Sequence, residues 1–235
     1  MYKSLLQITN FVKGHEIGSR NFFYSLYKFV YIQILFKITN KGFLVNWIDK
    51  SKFMIYKGDT GLTGNFYAGL HESKDMGFLL HYLNEKDVFV DIGANMGSYT
   101  ILSGIVKKSF VHSFEPIPST FERLQENITL NSNNKKIKLY NYGLGNEKTK
   151  LSFTKNQNCL NHVTSSKDKN NTIKLNVDTL DNQNLSPSVI KIDVEGFENQ
   201  VIQGGKKTFS NESLKCLIIE MRDDKISNKI YNHII

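Results

Sequence analysis

The sequence predicts an α/β protein built on a doubly wound, parallel sheet. Three observations lead there. From residue 88 onward, short apolar runs alternate with segments of helical periodicity, as expected for strands covered on both faces by crossover helices. The run Val88-Phe89-Val90-Asp91-Ile92 passes straight into a glycine turn and then a helix. The next apolar run, 110–114, ends on an acid, Glu115.

Taken in order, residues 1–42 read as helical, with Gly14 and Gly18 breaking the early part. Within them, 22–36 is apolar and aromatic but is interrupted by Lys28 and Gln33. It falls short of the ~20 residues that span a bilayer. Two readings of this stretch stand. The preferred one packs it against the core, so that any peripheral membrane contact is weak. The other lays it on a membrane surface, with Lys28 and Lys37 near the head groups. Residues 43–47 and 53–56 read as two short strands joined by a polar turn, a hairpin. The glycine-dense stretch 58–69 reads as a loop leading to His71-Glu72. Met76, Leu79, Leu80 and Leu83 then recur at helical spacing. Two domains follow from this, residues 1–71 as a helical and hairpin extension and 72–235 as the α/β domain.

In the α/β domain, strands are expected at 88–92, 110–114, 137–142, 189–194 and 214–221. Helices are expected at 98–106, 119–131 and 198–204. Ser119 and Glu122 have the spacing of a capping box. Residues 146–187 interrupt the rhythm and read as an insertion at the strand-end face, with strand-like pieces at 150–154 and 172–177.

Composition narrows the function classes. Of 235 residues, 40% are apolar, which excludes bulk disorder. Two cysteines, Cys159 and Cys216, stand far apart and no Cys–His metal spacing occurs. A disulfide framework and a zinc site are therefore not expected, and a cytoplasmic location is. No secretory leader pattern opens the sequence. The formal net charge of +8 draws a protein toward anionic partners. No arginine-rich, aromatic-interleaved stripe accompanies it, so nucleic acid is not the expected partner.

The motif Asp91-Ile92-Gly93-Ala94-Asn95-Met96-Gly97 carries the chemistry. Glycine at Gly93 and Gly97 lets the backbone turn and approach a ligand. Asp91 ends its strand, where open α/β sheets bind ligands. Its carboxylate there suits the ammonium of a methionine moiety. Glu115 ends the next strand and suits the two hydroxyls of a ribose. Together they describe a nucleoside site. Asn95 stands where a dinucleotide fingerprint needs its second glycine, and no Gly-Lys-Ser/Thr phosphate loop is present. A nucleoside cofactor without phosphates remains, S-adenosylmethionine.

Asp91-Ile92-Gly93-Ala94-Asn95, then Glu115-Pro116, then Lys191-Ile192-Asp193-Val194-Glu195-Gly196 with Glu198 resemble the FkbM family of methyltransferases. Val177-Asp178-Thr179-Leu180-Asp181 and Ile219-Glu220 match the same family. The likeness runs from about residue 67 to 222. It implies a Rossmann-like class I methyltransferase fold and methylation of a hydroxyl on a glycan or other secondary metabolite. Phe197 stands where the family commonly has histidine, so no histidine serves at that position here.

Asp193 and Glu195, ending the fourth strand, are the candidate catalytic pair, to orient an acceptor hydroxyl or take its proton. The bland alternative, capping the next helix, fits Glu198 better. Asp91, Gly93, Asn95, Gly97, Glu115 and Glu72 are the expected cofactor contacts. His71 is an equal candidate for the pocket or an ordinary loop. His162, beside Asn161, is a weaker candidate base, and Trp47 reads as hairpin packing. Two other functions compete: a non-catalytic or truncated cofactor-binding relative, and a nicotinamide-dependent oxidoreductase. Class I methyltransferases follow their fifth strand with a helix and two more strands. Residues 223–235 have room for one helix only, so these C-terminal strands are expected to be missing, which leaves the fifth strand at the sheet edge.

Overall fold

A computed structural model describes residues 2–39, 41–132, 134–154 and 172–220. Five strands pair in parallel at its centre: β3 (Val88–Ile92), β4 (Phe110–Phe114), β5 (Ile137–Tyr140), β9 (Val189–Ile192) and β10 (Cys216–Ile219). Their spatial order is β10-β9-β3-β4-β5. The first strand of the sheet is thus central, and the chain winds outward from it in both directions. The reversal at β3 is a topological switch point, and ligand crevices open beyond the carboxyl ends of strands there. The strands are short and apolar because both faces are covered. Phe89, Val90 and Ile92 of β3 and all four residues of β9 are buried.

The helix after β3, α5 (Ser98–Ile101), widens into a π-helical turn over Leu102–Val106. α6 (Pro118–Thr129) follows β4. The expected capping box does not form. Ile117 is the cap residue and Pro118 opens the helix, a position where the missing N–H of proline costs nothing. α7 (Glu198–Gln203) and α8 (Lys206–Phe209) link β9 to β10.

The insertion supplies β7 (Thr149–Thr154) and β8 (Thr172–Asp178), which form a sheet with β6 (Gly143–Leu144) just before it, in the order β6-β8-β7. Leu175 and Val177 are buried there, with Ile117, Leu151 and Ile173 packed around them. This fixes the small sheet beside the residues that leave the carboxyl end of β4. His162, Asn161 and Cys159 lie outside the described residues, as does the expectation for 223–235.

The extension, residues 1–71, holds α1 (Tyr2–Gly14), α2 (Phe22–Ile38), the hairpin β1 (Phe43–Asn46) with β2 (Lys52–Ile55), and α3 (Thr60–Ala68); α4 (Ser73–Tyr82) then leads into β3. The glycine-dense stretch expected as a loop is largely the helix α3. Glycine lowers helix propensity, and tertiary contact overrides it here. A Cβ on Gly64 would overlap the His71 ring, so glycine lets this helix press on the site.

The extension shares its core with the α/β domain. Val12, Phe29, Ile32, Phe53, Ile55 and Leu62 form one buried cluster with Ala94, Ile101, Leu124 and Ile128. Two buried asparagines of α6 and its following turn fasten the hairpin. The Lys52 amide donates to Asn131 and the Met54 amide to Asn127, both at 2.8 Å. Asn127 also donates to the Met96 carbonyl at 2.8 Å. One side chain thereby ties the hairpin to the glycine turn.

Candidate active site

The turn after β3 is anchored on the end of β4, because the amides of Gly93 and Ala94 both donate to the Phe114 carbonyl at 3.0 Å. Gly93 has φ +81°, and a Cβ there would overlap the carbonyl oxygen of Asp193. Glycine is thus what brings the ends of β3 and β9 together. Asn95 also adopts a left-handed conformation, φ +50°, which asparagine tolerates better than most residues. Gly97 immediately precedes α5.

Asp91 is fully buried behind this turn. One carboxylate oxygen accepts from Thr100 Oγ1 at 2.7 Å. The other, Oδ1, has no hydrogen-bond partner among the described residues, and neither does the buried Oδ1 of Asn95. Burial raises the Asp91 carboxyl above the usual carboxylate range, against the pull of the Lys191 ammonium. Glu115 is buried beneath the turn. It accepts from the Asn95 amide at 3.0 Å and the Ile117 amide at 2.9 Å. Burial pushes its carboxyl up to about 7, although both amide hydrogen bonds favour the charged form.

A cleft opens over the turn, lined by Glu72, Gly93, Asn95, Tyr99, Lys191 and Asp193. Glu72 enters it from the segment before α4 and accepts from Tyr99 Oη at 2.5 Å. His71 also lines the cleft. Its imidazole is held below the ordinary histidine range, chiefly by burial. Asn65 of α3 sets this segment in place, donating to Ser98 Oγ at 2.8 Å and accepting from the His71 amide at 2.7 Å.

Asp193 and Glu195 occupy the loop after β9. Asp193 reaches the cleft, and its Oδ2 accepts from Lys191 at 2.8 Å. Glu195 is half-buried with φ +54°, two residues further on. Glu198 turns back to accept from the Gly196 amide at 2.9 Å, which shapes the loop. Trp47 donates to the Gly69 carbonyl at 2.5 Å and packs edge-on against Phe53, away from the cleft.

The structure therefore gathers Glu72, Gly93, Asn95 and Asp193 around one cleft, sets Asp91 and Glu115 as buried acids behind it, and holds Glu195 on its rim loop. Three contributors were not singled out from the sequence. Lys191 is buried, with its ammonium 4.6 Å from the Tyr99 ring centre. Burial would lower this ammonium, but Asp193 and Asp91 outweigh it and raise it. A lysine inside an apolar strand was the available signal, since a buried charge needs partners. Tyr99 and Asn65 carried no comparable signal.

The cleft can hold a cationic nucleoside. Glu72, Asp91, Asp193 and Glu220 surround one ammonium, that of Lys191, so the carboxylates exceed the cations. The unpartnered Asp91 oxygen behind the turn fits a ligand ammonium. Among the described residues, no group of three His, Cys, Asp or Glu side chains is arranged to hold a metal ion.

The profile of the methyltransferase FkbM domain matches residues 91–233. The chain is 32% identical over 147 residues to the hexuronic acid methyltransferase AglP of Haloferax volcanii, a match covering 61% of this chain and 59% of AglP. The chain thus matches about three fifths of the length of that curated relative. Among solved structures it resembles the methyltransferase FkbM of Methylobacillus flagellatus KT, with a TM-score of 0.44 and 20% identity over 57% of this chain and 33% of that one. It also resembles a SAM-dependent methyltransferase of Agrobacterium tumefaciens, with a TM-score of 0.48 and 8% identity over 83% of this chain and 58% of that one.

Proposed function

Because the chain belongs to the FkbM methyltransferase family, we propose that it transfers a methyl group from S-adenosylmethionine to an oxygen of a sugar. The observation that carries this reading is the pair of buried acids, Asp91 and Glu115, set behind a glycine turn at the switch point of the sheet. When bound, the cofactor supplies an electrophilic methyl group on a sulfonium. Asp91 is assigned to its ammonium and Glu115 to its ribose hydroxyls. Glu72, fixed by Tyr99, closes the methionine end of the cleft. Gly93 and Asn95 form the floor.

The acceptor is assigned to the side of the β9 loop. Asp193 holds the acceptor hydroxyl in line, and Asp193 or Glu195 takes its proton as the oxygen attacks. A sugar hydroxyl is a weak nucleophile, so removing the proton during attack lowers the barrier. The acceptor class follows from the relative AglP, whose name specifies a hexuronic acid. A net charge of +8 also favours an acidic glycan over a neutral one. The cytoplasm, where the cofactor is made, is the expected compartment.

The test is methyl transfer from methyl-labelled S-adenosylmethionine to glucuronic- and galacturonic-acid oligosaccharides, with neutral oligosaccharides as controls. Mass spectrometry should show one added methyl on the acidic glycans. Mild base separates the sites, since a methyl ester is cleaved and a methyl ether is not. Binding of the cofactor with no transfer to any glycan would favour a non-catalytic relative instead.

A further inference from the structure

Among the described residues, no helix is long and apolar enough to cross a membrane. Yet α2 is apolar on two opposite sides. One side seats the helix in the protein, through buried Ser25, Phe29, Ile32 and Phe36. Phe29 meets Tyr67 edge-on at 5.6 Å and Phe36 meets Phe43 at 5.4 Å. The other side carries Phe23, Tyr27, Val30, Ile34 and Ile38, three or four residues apart. At 3.6 residues per turn this is a single stripe, on the face opposite the buried one. It is exposed along its length, with Phe23 at 84% and Ile38 at 73%. The expectation that packing would absorb these aromatics holds for Phe22, Phe29 and Phe36, while Phe23, Tyr24, Tyr27 and Tyr31 stay exposed. Tyr24 and Tyr31 stack on Tyr27 of the stripe, with ring centres 6.3 and 6.0 Å from its own.

We propose that this face of α2 docks the protein on an anionic lipid surface, with the helix lying in the plane of the head groups. The charge around it selects this occupant. Before Asp49 the sequence holds Lys3, Lys13, Arg20, Lys28, Lys37 and Lys41 against Glu16 alone. Lys13 lies 5.9 Å from the ring centre of Phe22, which opens α2, and Lys41 follows the end of α2 in sequence. Lys28 lies 4.6 Å from the Tyr24 ring centre and donates to the Phe66 carbonyl at 3.0 Å, which ties its ammonium to α3. Apolar and aromatic side chains in the acyl boundary, with basic residues at head-group level, are the pattern of interfacial helices. Tyrosine suits that boundary because its ring is apolar and its hydroxyl polar. A second copy of the chain fits less well, since a two-fold contact through this face would set its basic flanks against each other.

Flotation of the full chain with vesicles tests the proposal. Vesicles of phosphatidylcholine with phosphatidylglycerol should bind about tenfold more protein than phosphatidylcholine alone, and high salt should reverse most of that excess. The variant Phe23→Ser/Ile34→Ser/Ile38→Ser changes exposed side chains only and should lose binding while keeping its circular dichroism spectrum. Lys13→Glu/Lys41→Glu leaves the apolar stripe intact and should reduce binding to anionic vesicles alone. Absence of vesicle binding at low salt, or binding untouched by the triple substitution, overturns the proposal. Equal binding to neutral vesicles also overturns it. A dimer broken by the triple substitution, with no lipid binding, overturns it in favour of a second copy.

Discussion

Glu115 is the residue on which nucleoside binding turns. Its two carboxylate oxygens each take one backbone amide, and each retains a lone pair for a ribose hydroxyl. Glu115→Ala should weaken S-adenosylmethionine binding by about 1.5–3 kcal/mol, the range for hydrogen bonds to a charged group. The pH dependence has a definite sign. With its carboxyl raised to about 7 from an ordinary 4.5, the folded chain holds a proton that the unfolded chain has released. Stability of the ligand-free protein therefore falls as pH rises from 4.5 to 7 and levels above it. Affinity for the cofactor moves the opposite way, tightening from pH 6 to pH 8 as Glu115 ionises. Calorimetry across that range checks this, and Glu115→Gln should flatten the dependence. Lys191 is the complementary residue, a buried cation among acids. Replacing it by methionine leaves Asp91 and Asp193 without their counter-charge. The loss in stability should reach about 3–5 kcal/mol, read as a large fall in Tm. A Tm unchanged in Lys191→Met would show that the pair with Asp193 contributes nothing.

At the scale of elements, the β9 loop separates two roles that residues 193–198 combine. Glu198 shapes the loop through the Gly196 amide, while Asp193 reaches the cleft and Glu195 is held in a left-handed conformation. If Asp193 and Glu195 handle the acceptor proton, Asp193→Asn and Glu195→Gln should each lower turnover on the order of 10²–10⁴-fold. The Kd for the cofactor should stay nearly constant. A parallel loss of cofactor affinity would instead assign them to cofactor binding. The strands were legible because periodicity and β-forming residues agree, as in Val88–Ile92 and Phe110–Phe114, whose bounds were expected as found. α3 was not legible. Gly58, Gly61, Gly64 and Gly69 read as loop chemistry, while the reason for Gly64 is a contact with His71, seven residues away. The cap of α6 lies two residues before the capping-box serine, because the helix already opens at Pro118 with Ile117 as its cap residue. No periodicity could reveal Asn65 or Asn127, whose hydrogen bonds join segments about 30 residues or more apart.

For the whole molecule, the parallel sheet and its switch point were legible because five apolar runs alternate with crossovers. How the first 71 residues attach was not. Their side chains share one core with Ala94, Ile101, Leu124 and Ile128, and such sharing has no local signature. The extension in effect forms one wall of the cleft, through Gly61 and Leu62 of α3 and His71, with Glu72 next to them. Above all, the cleft should bind a phosphate-free cationic nucleoside. Isothermal titration of the full chain with S-adenosylmethionine, S-adenosylhomocysteine and NAD tests it most directly. Both sulfur nucleosides should bind and NAD should not, with Asp91→Asn and Glu115→Ala each weakening the former. Binding of NAD with neither sulfur nucleoside bound would show that Asp91 and Glu115 serve a dinucleotide instead.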